Sequence, residues 1–106
     1  HVALIAVLEE GERAVIIGGG RYIVTQADTA ELAFVVLDEY QGHGVGKALM
    51  RHLVTIARDA SIRELTAEVL AENLPMLNVL KRSGLPFHVT SQNGVLRVVL
   101  RLCVAE

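Results

Sequence analysis

The chain has 106 residues, of which 52% are hydrophobic and 4% aromatic, and its formal charge is −2. That length makes one globular domain, residues 1–106, with no room for a second, and its core must be built from Val, Leu, Ile and Ala. The charge argues against a nucleic-acid surface, which needs a basic stripe, no apolar run approaches the roughly 18 residues that span a bilayer, and the single cysteine, Cys103, excludes an internal disulfide and has no second thiol beside it for a metal.

Val2 to Leu8 is a continuous apolar run of strand length, broken by Glu9-Glu10-Gly11-Glu12. Ala14 to Ile17 and Tyr22 to Thr25 resume β-type residues around Gly18-Gly19-Gly20, which predicts a hairpin whose second strand bends or bulges at the glycines. Gln26 to Ala30 reads as a polar turn. Leu32 to Leu37 is apolar without alternation, the pattern of a central strand buried on both faces. Asp38 to Tyr40 leads into Gln41-Gly42-His43-Gly44-Val45-Gly46-Lys47.

From Lys47 the period becomes helical. Leu49, Leu53, Ile56, Ala57 and Ala60 fall on one face, with Lys47, Arg51, Thr55, Arg58 and Asp59 opposite. Leu65 to Leu70 is the next strand. Asn73 fits a helix N-cap, with Pro75 tolerated in the first turn, Met76, Leu77 and Leu80 as an apolar stripe, and Gly84 as the stop. Phe87 to Thr90 and Val95 to Val104 form a hairpin about Asn93-Gly94, with Arg97 and Arg101 on a wet face and Cys103 a buried hydrophobe of the last strand. The order is β-β-β-α-β-α-β-β: an α+β domain with a mixed, mainly antiparallel twisted sheet and two helices.

The glycine loop between strand and helix is the chemical signal. Glycines at a helix mouth leave backbone N–H groups uncovered at the positive end of the helix dipole, a site for phosphate oxygens. A tight turn without ligand is the alternative. Two nucleotide templates fail. A phosphate-binding loop of the Walker type needs Gly at 41 and Ser or Thr at 48, where the chain has Gln41 and Ala48. A dinucleotide fingerprint begun at Gly42 needs Gly at 47, and one begun at Gly18 needs it at 23; Lys47 and Ile23 stand there.

Gln41-x-x-Gly44-x-Gly46 instead resembles the acyl-CoA pyrophosphate loop of the GNAT superfamily of N-acyltransferases. Ala30 to Val36 is similar to that family's central strand, and Glu72-Asn73, before a short helix closed by Ser83-Gly84, to its next block. Ala30 to Gly84 is most similar to bacterial protein-lysine acetyltransferase domains. The resemblance implies the GNAT form of the α/β fold, splayed near Val36, with acetyl-CoA as cosubstrate, no metal and a cytoplasmic protein. Its acceptor is a protein lysine or a small-molecule amine, and a fused regulatory domain or a homo-oligomer is expected. A non-catalytic acyl-CoA-sensing module is the competing reading. The family usually opens with a further strand and helices that wall the acceptor groove; this chain starts at His1 directly in the hairpin, so that part is expected to be missing.

By the same resemblance the coenzyme is held by Val36, Leu37, Gln41, Gly42, His43, Gly44, Val45, Gly46, Lys47 and Asn73. Gly42, Gly44 and Gly46 open the loop to pyrophosphate, and Val35 to Leu37 pair with the amide chain of pantetheine as an added strand. His43 is otherwise a solvated side chain, and Asn73 is otherwise only a cap. Acyl transfer to an amine needs a base and a donor to the developing oxyanion. Glu31 is the expected base, its pKa raised by desolvation from Leu32 and Phe34; a solvated carboxylate is its alternative and Glu68 its rival. The backbone N–H of Val35 is the expected oxyanion donor. Many family members place a tyrosine acid where this chain has Leu80.

Overall fold

The computed structural model describes residues 2–102. The elements are β1 (Val2–Glu10), β2 (Arg13–Gln26), β3 (Thr29–Val36), a single 3₁₀ turn over Asp38–Tyr40, α1 (Val45–Asp59), β4 (Glu64–Leu70), α2 (Leu74–Lys81), β5 (Phe87–Gln92) and β6 (Val95–Arg101). One sheet carries the strands in the order β1-β2-β3-β4-β6-β5. All neighbours are antiparallel except β3 and β4, which are joined by α1 and run parallel. Element order and the mixed sheet with two helices agree with the sequence reading.

The hairpins follow local chemistry. Asn93 and Gly94 both have positive φ, 54° and 78°, as a two-residue type I′ turn requires. In β2 the strand runs unbroken through Gly18-Gly19-Gly20, and its pairing with β1 shifts between Ala6 and Val7: Ala6 faces Gly18, Val7 faces Ile16, and Ile17 is the added residue. The glycines have a packing reason as well. A Cβ on Gly20 would stand 2.7 Å from the Phe34 ring and 3.0 Å from Leu53 Cδ1. Bare backbone there lets Phe34 and α1 close onto the sheet.

Several boundaries differ from the sequence reading. The polar turn shrinks to Ala27-Asp28, because Thr29 and Ala30 already pair with β2, facing Gln26 and Val24. Helix α1 begins at Val45 and buries Met50 and Val54 beside the expected stripe, while Ala60 lies past its end and is exposed. β6 is described to Arg101, and Cys103 lies outside the described residues.

The largest correction concerns β3. Ala30 and Leu32 are buried, whereas Glu31, Ala33 and Val35 are exposed, so the strand is covered on one face only. The reason is the side on which the helices lie. Leu53 of α1, Leu77 and Leu80 of α2, and Leu32, Leu65, Val98 and Leu100 of the strands form one cluster. Both helices therefore pack on the same face of the sheet. The other face leaves Ile5 and Val35 65% and 68% exposed.

Candidate functional site

Between the end of β3, the loop at 40–47, α1 and α2 lies a cleft of about 1000 Å³. It exists because β3 and β4 pair only from Thr29/Glu64 to Leu32/Ala67, while β3 continues to Val36 and β4 to Leu70. Beyond Leu32 the two parallel strands diverge, and the backbone of β3 on that side has no strand partner. The splay expected near Val36 is present.

The loop delivers a helix N-terminus into this gap. Gly42 and Gly44 sit at φ +82° and +83°, a left-handed conformation that side chains resist, and a Cβ at either would meet nothing within 4 Å. Gly44 is the N-cap of α1 and provides no side-chain cap. The first intrahelical bond runs from Ala48 N–H to the Gly44 carbonyl at 3.0 Å, so the amides of Val45, Gly46 and Lys47 have no acceptor inside the helix. No acidic residue occupies the first turn, whereas Lys47 does, against the helix dipole. This arrangement suits an anion.

Gly46 has another role. It is buried, and a Cβ there would lie 3.1 Å from Val79 Cγ2 and 3.9 Å from Val36 Cγ2. Its missing side chain lets α2 and β3 approach α1. Gln41 braces the loop, donating from Nε2 to the Val36 carbonyl (3.3 Å) and to Asp38 Oδ1 (3.2 Å). Asn73 caps α2, its Oδ1 accepting from Met76 N–H at 3.3 Å. Val35, Val36, Gln41, Gly42, Gly44, Gly46, Lys47 and Asn73 all line the cleft. Leu37, His43, Val45 and Glu31 are not on its lining. Leu37 N–H bonds to the Ile17 carbonyl (2.9 Å), His43 is exposed and meets Tyr40 edge-on at 6.4 Å, and Val45 is half-buried over Gly18.

The surroundings of two expected catalytic residues, Val35 and Glu31, differ from the sequence reading. Leu37 donates to Ile17, and in an antiparallel ladder hydrogen-bonded pairs recur every second residue. Val35, which faces Gly19, therefore turns its N–H toward β2. The amides of Phe34 and Val36 face the gap instead, and they are the donors within reach of a chain lying there. Glu31, for its part, is exposed, because alternation puts it on the face opposite Leu32 and Phe34. The desolvation expected from those neighbours is not present. Glu68 is exposed and pairs with Arg97 at 3.6 Å. Leu80, at the tyrosine position, is fully buried in the core.

Sequence reasoning missed Arg51, Arg58 and Arg82, which line the cleft with Lys47. Among the described residues, no Asp or Glu is on that lining. The signal was available: Arg51 and Arg58 repeat Lys47 on one side of the helix, but nothing in the chain said that this side faces α2 rather than water.

The model of the acetyltransferase (GNAT) family matches residues 1–85. The chain is 35% identical over 80 residues to acetyltransferase Pat of Mycolicibacterium smegmatis, a match over 74% of this chain and 24% of that protein. Among solved structures it is similar to the GNAT domain of S. lividans PAT, at 34% identity and TM-score 0.72, covering 84% of this chain and 58% of that one. It has the same fold as yncA of Salmonella typhimurium, solved with its cofactor acetyl-CoA, at 21% identity and TM-score 0.73, covering 87% and 61%. The chain thus spans about a quarter of the curated relative and somewhat more than half of the solved domain. With the diverging parallel strands, the uncapped glycine-rich helix mouth and a family match over most of its length, the chain belongs to the acetyltransferase (GNAT) family.

Proposed function

We propose that the chain is the catalytic domain of an N-acetyltransferase that moves the acetyl group of acetyl-CoA to a lysine amine of a protein. The observation that carries this reading is the gap beyond Leu32, open to backbone amides on one side and ended by the free N–H groups of α1. Coenzyme A fits both features. Its pyrophosphate takes the amides of Val45, Gly46 and Lys47, and its pantetheine amides pair with Val36 as an added strand. Protein lysine is favoured among amines by the 35% identity to Pat and the likeness to the S. lividans domain.

The chemistry then follows from the strand. The neutral amine attacks the thioester carbonyl carbon, and the carbonyl oxygen gains charge as the tetrahedral intermediate forms. Phe34 N–H, facing the gap, donates to that oxygen. Collapse breaks the C–S bond and releases coenzyme A as thiolate, leaving the acetylated amine. Glu31 stands three residues before Phe34, about 10 Å along the strand at 3.3 Å per residue. At that distance it takes the amine proton through water, not by contact. Its exposed face is the one an acceptor reaches without crossing the helices.

The test is release of free thiol from acetyl-CoA by the full-length protein over a panel of lysine peptides and small amines. Amine-dependent release with a lysine peptide is expected. Binding of acetyl-CoA without turnover on any amine would favour the sensing module, and binding of ATP in its place would remove the acyl-CoA reading.

A further inference from the structure

We infer that the Thr66 hydroxyl, standing across the parallel strand pair from Glu31, holds the water through which Glu31 takes the acceptor's proton, so that Thr66 is a positioning residue of the transfer. This rests on the acetyltransferase reading above and adds to it the group that orients the relay.

Nothing local explains a hydroxyl at this position. Among the described residues Thr66 is the one buried polar residue apart from Tyr22, 4% exposed between the apolar Leu65 and Ala67. A β-branched side chain suits the strand, but Val has the same shape and no hydroxyl to take out of water. Thr25, Thr29 and Thr55 use their hydroxyls within the chain, bonding to the Thr29 carbonyl, to Asp28 and to the Arg51 carbonyl. Among the described residues the Thr66 hydroxyl has no such bond. Yet none of their side-chain oxygens is both fully buried and without a partner. The hydroxyl is therefore the part of Thr66 that still reaches the surface.

That surface is the face of the sheet away from the helices. Leu65 and Ala67 turn inward to the core, so Thr66 between them turns outward, and its partner across the pair is Glu31. Neighbouring strands lie about 4.8 Å apart, so hydroxyl and carboxylate project side by side. Glu68, the next outward position of β4, is already engaged by Arg97 at 3.6 Å. Ala33, the next outward position of β3 toward Phe34, is exposed and has only a methyl. Beside it a shallow hollow of about 250 Å³ opens over Gly19, between Arg21 and Val35. A water above Ala33 thus lies between the carboxylate and the gap where the thioester carbonyl meets Phe34 N–H. It donates one O–H to Glu31 and the other to Thr66 Oγ1, which leaves a lone pair for the amine. As the C–N bond forms and the C–S bond breaks, the amine proton passes to the water and a water proton to Glu31, which returns it to solvent. Without the hydroxyl the water keeps one anchor, and its lone pair is no longer aimed.

Thiol release from acetyl-CoA by the full-length protein, with a lysine peptide that the wild type acetylates, tests this. Thr66→Val keeps the shape and removes the hydroxyl; it should lower kcat about tenfold, the scale of one hydrogen bond lost from a transition state. KM for acetyl-CoA should not change, and Tm should stay level or rise. Thr66→Ser restores the hydroxyl and should recover most of kcat. Thr90→Val, an exposed threonine on β5, should have no effect. The decisive comparison is a double-mutant cycle: in a Glu31→Gln background, Thr66→Val should cost less than about twofold more, because both act on one water. Wild-type kcat in Thr66→Val would overturn the role and leave the acetyltransferase reading standing. So would a Thr66→Ser variant as slow as Thr66→Val, or a full tenfold loss added to that of Glu31→Gln. A wild type that binds acetyl-CoA in calorimetry but releases no thiol with any amine would remove the acetyltransferase reading and the relay together.

Discussion

Lys47 is unusual for a helix start, since the first turn of α1 presents partial positive charge and has no acid to offset the ammonium. An anion at the Gly44 mouth resolves that tension, which is why loop and lysine are best read as one device. Gly44 is the residue on which the device depends. Gly44→Val forces a β-branched side chain to φ +83°, with strain of about 1–2 kcal/mol, and fills the open space above the amides. It should lower the melting temperature modestly and abolish detectable acetyl-CoA binding in titration; a folded variant with wild-type affinity would remove the loop from the site. Glu31 makes a different prediction. If it relays the amine proton, Glu31→Gln should lower kcat by about 10²–10⁴-fold with acetyl-CoA affinity nearly unchanged. Part of the loss should return at high pH, as an acceptor amine with a reference pKa of about 10.4 deprotonates unaided. Glu68→Gln removes only an exposed ion pair and should be mild in both turnover and stability. Loss of turnover in Glu68→Gln alone would exchange the two roles.

At the scale of elements, α2 is the most vulnerable part of the site. It has eight residues, too few to be stable alone, and depends on Leu77 and Leu80 in the core and on its cap. Asn73→Ala deletes the bond to Met76 N–H and should destabilise the domain by about 1 kcal/mol, or about 4–8 °C in Tm for a domain of this size. Because α2 forms one wall of the cleft, acetyl-CoA should recover part of that loss in a melting experiment. An unchanged Tm would mean the cap is unimportant. In β3, alternation assigns two tasks at once: Leu32 and Phe34 turn inward to the core, while the backbone amides of Phe34 and Val36 turn sideways into the gap. A substitution on this strand that preserves its inward shape should leave the amide donors in place, since they belong to the backbone.

At the scale of the whole molecule, the feature that opens the proposed site is the one parallel pair among the described strands of an otherwise antiparallel sheet. β3 and β4 are held together at Leu32/Ala67 and diverge beyond it, with a helix starting from each. A ligand that fills the gap supplies the missing strand contacts and bridges α1 and α2. Binding should therefore stabilise the entire domain, by about 2.7 kcal/mol at 100 times the Kd if the unfolded chain does not bind. Thermal melts across an acetyl-CoA series check this, and a Tm independent of acetyl-CoA would contradict it.

The sequence by itself determined what depends on near neighbours along the chain. The Asn93-Gly94 turn needs two positive φ values, the Asn73 cap needs one side-chain oxygen three residues before Met76 N–H, and the helix mouth needs glycines where φ is positive. All are short-range demands that residue type answers. Only the tertiary structure decided what depends on which surfaces meet. Both helices settle on one face, so the apolar run 32–37, which reads as doubly buried, keeps Val35 in the open and leaves Glu31 undesolvated. Hydrogen-bond parity with β2 turns the N–H of Val35 away from the gap and those of Phe34 and Val36 into it, because the pairing partner of Leu37 is set twenty residues away at Ile17. The contact of Gly46 with Val79 made a polar stripe of α1 the wall of a cleft. Periodicity gives the faces of an element, and packing alone chooses what each face meets.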